Sequence, residues 1–317
     1  MKKLVAGIDL GGTKIQTVIL REREIVGKCR VATPQTGAEA VLAAMAESVK
    51  GALQSGGEPL TGLKAVGVGS PGVIQGTTVA SSPNVPGFEV GPIPMGDELS
   101  RGLGGVHVDL DNDVRVAVLG EWRQGSGRPF KDFLGVFVGT GVGGGLVLDG
   151  ELREGLGAAG EIGHTLVKDG GRKCGCGMLG HLESYAGRRS IEDTARRWKA
   201  KGRRTKLFKI MKKKGRDRAA SGVIAAALAK EDRVVVQLVD EAVWALGIAL
   251  ANAQNLLDLE AIILGGGLGD KLGTPFVDRV AEAMHPRLHV PDRPPKLLST
   301  ELGDLSGAVG AAVLAGG

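Results

Sequence analysis

Gly160–Glu183 reads GEIGHTLVKDGGRKCGCGMLGHLE, a glycine-spaced stretch bracketed by Glu161 and Glu183 that holds two histidines and two of the chain's three cysteines. His164 lies ten residues before Cys174, Cys176 follows after one glycine, and His181 comes five residues later. Two thiolates and two imidazoles form the donor set of a closed, tetrahedral structural Zn²⁺ site. A bare C-x-C would also fit two small residues packed in a loop, with histidines nearby by chance. The glycines, the flanking histidines and the lack of any other pairing partner favour the metal, with His164, Cys174, Cys176 and His181 as its ligands. A metal that folded this loop would also fix Glu161 and Glu183 beside it, so one segment would carry both a staple and a site.

Working outward, 317 residues are enough for two domains with cores of their own. With 43% hydrophobic but only 3% aromatic residues, those cores must be aliphatic. The 53 glycines are far above ordinary usage of about 7% and show no collagen-like period. They gather at turns between apolar runs, where backbone must approach a ligand or take positive φ. Three cysteines, with Cys29 standing alone, do not make a disulfide framework, and no stretch reads as a signal peptide. The apolar runs at 219–229 and 242–251 are too short or too amphipathic to span a bilayer. A reducing cytoplasm, with no membrane partner, is the expected location.

The net charge of +5 is local in origin. Arg196 to Arg218 holds thirteen Lys or Arg against the single acid Asp217, which leaves the remainder of the chain net acidic. Such a run could attract nucleic acid or another polyanion. Leu207, Phe208, Ile210 and Met211 are interleaved at helical spacing, however, which favours a surface helix with a buried stripe and a solvated basic face. That reading argues against a nucleic-acid partner.

The opening reads as strand, tight turn and strand: Leu4–Asp9, then LGGT, then Lys14–Leu20, with a third strand near Glu24–Val31. Residues 37–54 have helical spacing and stop at Gly56-Gly57. A short strand at Leu63–Gly69 runs into Ser-Pro-Gly, a proline-punctuated loop spans Pro83 to Pro94, and a helix near 95–102, a strand at 106–110 and a helix at 113–123 follow. Phe133–Val138, GTGVGGG and Leu146–Leu148 then repeat the opening grammar. Helices dominate 187–257, AIILGGG is a strand entering a glycine turn, and 306–315 closes the chain as a helix. The alternation predicts an α/β architecture. Two halves that each open on a Gly-Thr hairpin predict a duplicated fold with a cleft between them.

Asp9-Leu-Gly-Gly-Thr-Lys14 sets an acid at a strand end, followed by glycines whose N–H groups can face a phosphate without a Cβ in the way. Gly139-Thr140-Gly141 offers the same from the second half, and Gly265-Gly266-Gly267 follows another strand. None of them matches G-x-x-x-x-G-K-[ST], nor G-x-G-x-x-G before a helix, which disfavours a P-loop nucleotidase and a dinucleotide-binding dehydrogenase. Asp111-Asn112-Asp113 lies where a strand gives way to a helix, and from the residues alone Asn112 or Asp113 could be a plain N-cap. Asn84, between two prolines, could be a turn residue.

E-x-G-H followed by C-x-C-G-x-x-G-C-x-E is the signature of the ROK family (repressors, open-reading-frame proteins and sugar kinases). This chain resembles it at Glu161-Ile-Gly-His164 and at Cys174-Gly-Cys176-Gly-Met-Leu-Gly-His181-Leu-Glu183, with His181 where the family has its third cysteine. Imidazole is a competent Zn²⁺ ligand, so a two-His, two-Cys site is expected in place of one-His, three-Cys. The resemblance covers nearly the whole chain. It implies a two-domain actin-like ATPase fold, ribonuclease-H-like in each half, with an interdomain cleft. The domains are expected at 1–115 and 116–302, the last segment, 303–317, crossing back to complete the first.

By the same resemblance Asp9, Gly11, Gly12, Thr13 and Lys14 form one phosphate loop and Gly139, Thr140 and Gly141 the other. Gly265, Gly266 and Gly267 sit beside the adenosine of ATP, and Asp9 meets Mg²⁺ through water. Asn112-Asp113-Val114-Arg115 stands for the family's N-D-A-N, which makes Asp113 the catalytic base and puts the role of the second asparagine in question. Gly72 and Asn84 contact the sugar. With Asn112, Asp113, Glu161, His164 and Glu183 they make a polar set suited to a ring of hydroxyls, where each unpaired buried group would cost about 1–3 kcal/mol. His164 would serve twice, one nitrogen on Zn²⁺ and one on the sugar.

The implied activity is that of an ATP-dependent hexose kinase, a glucokinase acting on the 6-hydroxyl of glucose, working as a homodimer. Kinases for N-acetylhexosamines, fructose or mannose are the near alternatives, and polyphosphate is the alternative donor. A sugar-responsive transcriptional regulator is the distant one, and the start of the first loop at Asp9 leaves no room ahead of it for that class's helix-turn-helix domain.

Overall fold

The computed structural model describes residues 3–82, 84–89 and 91–316. Pro83, which opens the expected proline loop, and Gly317, the end of the expected closing segment, lie outside the described residues. The chain divides into two compact units, Met1–Arg128 with Asp304–Gly317, and Pro129–Gly303.

In the first unit, β1 (Leu4–Leu10), β2 (Lys14–Arg21) and β3 (Glu24–Ala32) form an antiparallel meander. Helix α1 (Ala38–Ser55) follows, then β4 (Leu63–Ser70), the small hairpin β5 (Val73–Gln75) and β6 (Thr78–Ala80), α2 (Met95–Gly102), β7 (His107–Asn112) and α3 (Asp113–Gln124). The sheet order is β3-β2-β1-β4-β7, with β4 parallel to both β1 and β7. Helix α1 buries Val41, Met45, Val49, Ala52 and Leu53 on one stripe, the spacing that keeps an apolar face turned to a sheet. It ends where Gly56 and Gly57 interrupt it.

The closing helix, Ser306–Gly316, returns to this unit and packs on β1, β4 and α3. Its backbone approaches so closely that small residues are obligatory. A Cβ on Gly7 would overlap the Ala308 carbonyl oxygen, one on Gly67 that of Ala311, and one on Gly310 that of Val116. Close approach of this helix is thus one use the chain makes of its glycines. It also explains why the boundary expected at 115 falls inside α3: that helix buries Val116 and Gly120 against the closing helix, and the unit runs on to Arg128.

The second unit repeats the plan. β8 (Phe133–Val138), β9 (Val142–Leu148) and β10 (Glu151–Arg153) form the meander, followed by α4 (Glu183–Ala186), α5 (Arg188–Ala200), α6 (Leu207–Lys213), α7 (Ser221–Leu228) and α8 (Arg233–Leu257). β11 (Ala261–Gly265), α9 (Gly266–Leu272), α10 (Thr274–Met284) and β12 (Lys296–Ser299) complete it. The order β10-β9-β8-β11-β12, with β11 parallel to its neighbours, matches the first sheet strand for strand. The duplication read from two Gly-Thr hairpins is therefore a duplication of whole sheets.

One expectation changes here. Gly143, Gly144 and Gly145 belong to β9 rather than to a turn, because Phe137, Val136 and Gly135 pair with them across the ladder. Their bare faces admit the following loop: a Cβ on Gly144 would lie 2.6 Å from the Gly160 carbonyl oxygen. At 25 residues α8 is, among the described residues, the one helix long and apolar enough to cross a membrane, longer than the runs the sequence suggested. Its apolar face, from Val234 to Ala251, is buried in this unit's core. In the basic segment, α6 buries Leu207, Ile210 and Met211 and leaves its lysines exposed, as the spacing predicts.

Candidate active site

The two glycine hairpins differ by one residue, since Leu10 pairs with Ile15 around Gly11, Gly12, Thr13 and Lys14, and Val138 with Val142 around Gly139–Gly141. In the first, every loop carbonyl is engaged from the strand β3 side: Thr33 Oγ1 donates to Gly11 O at 2.6 Å, Gln35 Nε2 to Gly12 O at 3.3 Å, and Thr33 N–H to Thr13 O at 3.2 Å. Gly11 N–H donates to Lys14 O at 2.9 Å. Among the described residues, the N–H groups of Gly12 and Thr13 have no hydrogen-bond partner. The second loop is built alike. Arg188 N–H donates to Gly139 O and Arg189 N–H to Thr140 O, both at 3.1 Å, and Gly139 N–H donates to Gly141 O at 2.9 Å. The N–H groups of Thr140 and Gly141 are left without a partner among the described residues. Carbonyls turned away and N–H groups left open make an anion-binding concavity.

Asp9 is the penultimate residue of β1, beside the first loop and against the start of the closing helix, where a Cβ on Gly307 would come 2.8 Å from the Asp9 Cγ. Burial raises the Asp9 carboxyl from its ordinary 3.8 to about 6, with Lys14 pulling it down and Asp304 pushing it up. Lys14 Nζ in turn pairs with Asp304 at 3.1 Å. Asn84 lies on the same loop: its carbonyl oxygen occupies the place a Gly12 Cβ would take, and its side chain is exposed. Gly72, at φ +110°, sits against Ser82, two residues before Asn84.

β7 ends with Asn112 paired to Ser70 of β4, and α3 begins at the next residue. Asn112 is the N-cap, its Oδ1 accepting from Val114 N–H at 3.0 Å and Arg115 N–H at 3.2 Å, so only its amide NH₂ is left to meet a ligand. Half-buried Asp113 is the first helical residue, and its Oδ1 accepts from Val114 N–H at 3.0 Å. Asp111 is buried and takes the Arg115 Nε–H at 2.8 Å, the Arg115 Nη2 and its own neighbour Asn112 N–H at 2.7 Å. The arginine that departs from N-D-A-N is thus the partner of Asp111, the residue just before that segment. The first unit thereby gathers Asp9, the loop glycines, Gly72, Asn84, Asn112 and Asp113 at the carboxyl ends of β1, β4 and β7, the end of such sheets where ligands bind.

In the second unit, the ligand atoms of His164, Cys174, Cys176 and His181 all lie within 4.8 Å of one another. Cys176 Sγ is 3.3 Å from His181 Nδ1, and Cys174 Sγ is 3.9 Å from His164 Nδ1. Bonds of about 2.3 Å to sulfur and 2.0–2.1 Å to nitrogen set tetrahedral ligands about 3.3–3.8 Å apart, so the donor set fits Zn²⁺. Burial foremost pushes the Cys174 thiol up to about 11, so that thiolate ligation would release a proton. The other His164 nitrogen, Nε2, faces Glu161 at 4.0 Å. Glu183 links the cluster to the second loop: one oxygen accepts from Val142 N–H at 2.9 Å and the other lies 3.7 Å from Cys174 Sγ. Gly265–Gly267 border the same loop, for a Cβ on Gly266 would come 2.7 Å from Val138 N.

Thr33, Gln35, Asp304 and Arg188 were not foreseen. Each acts through a contact distant in sequence, and none has a residue type that announces it.

The family model described as ROK family matches residues 5–317. A glucokinase of Halalkalibacterium halodurans is 34% identical over 291 residues, 89% of this chain and 86% of that protein. An N-acetylmannosamine kinase of Vibrio cholerae serotype O1 is 31% identical, covering 90% of this chain and 92% of the other. The solved structure of a ROK family glucokinase from Streptomyces griseus, in complex with glucose and AMPPNP, superposes with a TM-score of 0.81 at 32% identity, over 98% of this chain and 99% of that one.

Proposed function

The chain belongs to the ROK family, and we propose that within it this is an ATP-dependent sugar kinase, a glucokinase that phosphorylates the 6-hydroxyl of glucose. The observation that carries the reading is Asp113, the first residue of α3, set at the same sheet end as a glycine loop with open N–H groups. The glucokinases similar to it over most of their length support it.

The Asp113 carboxylate accepts the proton of the sugar's 6-hydroxyl as that oxygen attacks the γ-phosphorus. The new O–P bond forms as the bond from the γ-phosphorus to the β,γ-bridging oxygen breaks, and ADP leaves with the electron pair. A positioned base contributes about 10²–10⁴-fold, and positioning with electrostatic stabilisation supplies most of the rest. The N–H groups of Gly12, Thr13, Thr140 and Gly141 would hold phosphoryl oxygens, and Lys14 adds a cation beside the first pair. Bound Mg²⁺ would neutralise phosphoryl charge, with Asp9 holding it through water. Bound Zn²⁺ would fix the 164–181 loop, with His164, Cys174, Cys176 and His181 as ligands. The Nε2 of His164, with Glu161, Glu183, Asn84 and the Asn112 amide, would then bind sugar hydroxyls. Thiols free for ligation suit a reducing compartment.

A coupled ADP-release assay with Mg²⁺–ATP across hexoses and N-acetylhexosamines tests this. Preference for glucose supports the proposal, and preference for N-acetylmannosamine replaces it with the second reading, which the Vibrio cholerae relative motivates. Absence of turnover on every sugar by folded, zinc-loaded protein would remove both. Polyphosphate run in parallel tests the donor. The exposed cations Lys201, Arg204, Lys209, Lys212, Lys213 and Arg216, which have no ion-pair partner among the described residues, are the reason to include it.

A further inference from the structure

We propose that Arg188 binds the terminal phosphates of the nucleotide at the Gly139–Gly141 loop and stabilises the charge that spreads over the phosphoryl group during transfer. The inference rests on the kinase reading above and gives that site a residue which neither the family signature nor the glycine motifs contain.

Arg188 opens α5, and its backbone N–H holds Gly139 O while its guanidinium Nη2 donates to Thr140 Oγ1 at 3.0 Å. Gly187, just before it, lets the helix start lie against the loop, since a Cβ there would meet Thr140 O at 3.2 Å. The guanidinium is therefore tethered to the one side chain of the loop whose N–H groups are open. Its Nε is buried with no acceptor among the described residues. No carboxylate there pairs with it, and the acid whose field reaches it is engaged elsewhere. Glu192 accepts from Arg196 at 2.9 and 2.6 Å and from Ala219 N–H at 2.7 Å, and pairs with Arg218 at 3.2 Å. Burial consequently lowers the Arg188 pKa, with Glu192 offsetting part of the effect.

A desolvated cation without a counter-ion is costly to hold, and this one is held beside a loop shaped for anions. The planar guanidinium fork matches phosphate oxygens. Its effect should grow as charge spreads over the equatorial oxygens in the transition state, where an arginine can contribute up to about 10³-fold or more.

The test uses Arg188→Gln and Arg188→Lys in the full chain. Calorimetry gives Kd for ATP, ADP, AMP and glucose, and kinetics give kcat and KM for ATP. Arg188→Gln is expected to weaken ATP and ADP at least about 10-fold, leave AMP and glucose unchanged, and lower kcat about 10²-fold. Arg188→Lys should recover part of the affinity and little of kcat, and it decides the question alone if the glutamine variant fails to fold. Wild-type-like ATP affinity and kcat in these variants, or equal weakening of AMP and ATP, would overturn the inference while the kinase reading stood. A wild-type chain that binds ATP in an Arg188-dependent way yet phosphorylates no sugar would remove the kinase reading and keep Arg188 as a phosphate ligand. A wild-type chain that binds no nucleotide would overturn both.

Discussion

Glu183 joins the candidate metal cluster to the second glycine loop, one carboxylate oxygen on the Val142 N–H at 2.9 Å and the other 3.7 Å from the Cys174 sulfur. Metal content and nucleotide binding are therefore expected to be coupled. Stripping zinc with a chelator should lower Tm and raise KM for ATP together, and re-addition should restore both. Metal analysis should find one zinc per chain. It should be lost in Cys174→Ser and retained in His181→Cys, because thiolate and imidazole are both zinc donors. Full zinc occupancy in Cys174→Ser would refute the ligand assignment.

Asp113→Asn removes the proton acceptor and keeps the shape of the first turn of α3. It should lower kcat by at least about 10²-fold with little change in the Kd for glucose measured by calorimetry. A retained kcat would exclude Asp113 as the base.

The buried pair of Asp111 and Arg115 gives a stability prediction. Taking away one partner of a buried ion pair costs about 3–5 kcal/mol, because the other charge is stranded, whereas replacing both can be nearly neutral. Denaturant unfolding of Arg115→Ala should show a loss of that order, and Asp111→Asn with Arg115→Asn should lose less than Arg115→Ala alone. A double variant as unstable as the sum of its parts would mean that the two residues act separately.

Asp9 carries a pH signature. Its carboxyl titrates near 6 in the folded chain against an ordinary 3.8, so between those values the folded state holds a proton the unfolded state has lost. Its contribution to stability falls as pH rises through that window and stays low above it. Without nucleotide, Asp9→Asn should stabilise the chain at pH 7 by roughly 1–3 kcal/mol and leave it unchanged well below pH 4. The ionised form is the one that suits Mg²⁺, so kcat/KM for ATP should rise across about pH 6 in the wild type. Thermal melts of both proteins across this range check the first claim and initial rates the second.

Local chemistry made much of this legible in advance. The Gly-Thr hairpins, the stop of α1 at Gly56 and the start of α3 at Asp113 are each set by one or two residues with strong backbone preferences. The four metal-ligand candidates were legible because the ligand types are rare in this chain and crowd into one loop. What sequence did not reveal depends on partners far along the chain. Gly143–Gly145 reads as a turn until β8 pairs with it. β12 follows two prolines and becomes a strand only because β11 offers an edge. Thr33 and Gln35 look like ordinary loop residues, and only the fold brings them onto the carbonyls of Gly11 and Gly12. Arg188 is followed by Arg189, and the residue types do not tell that the first is partly buried and the second exposed.

The closing helix bears on the order of synthesis. β1 and β4 present Gly7 and Gly67 to backbone supplied by residues 308–312, so the first sheet, though translated first, lacks its cover until the end of the chain has been made. The second unit is continuous from Pro129 to Gly303 and meets no such delay. A growing chain is thus expected to fold its second half ahead of its first, with the apolar floor of the first sheet exposed to chaperones in the interval.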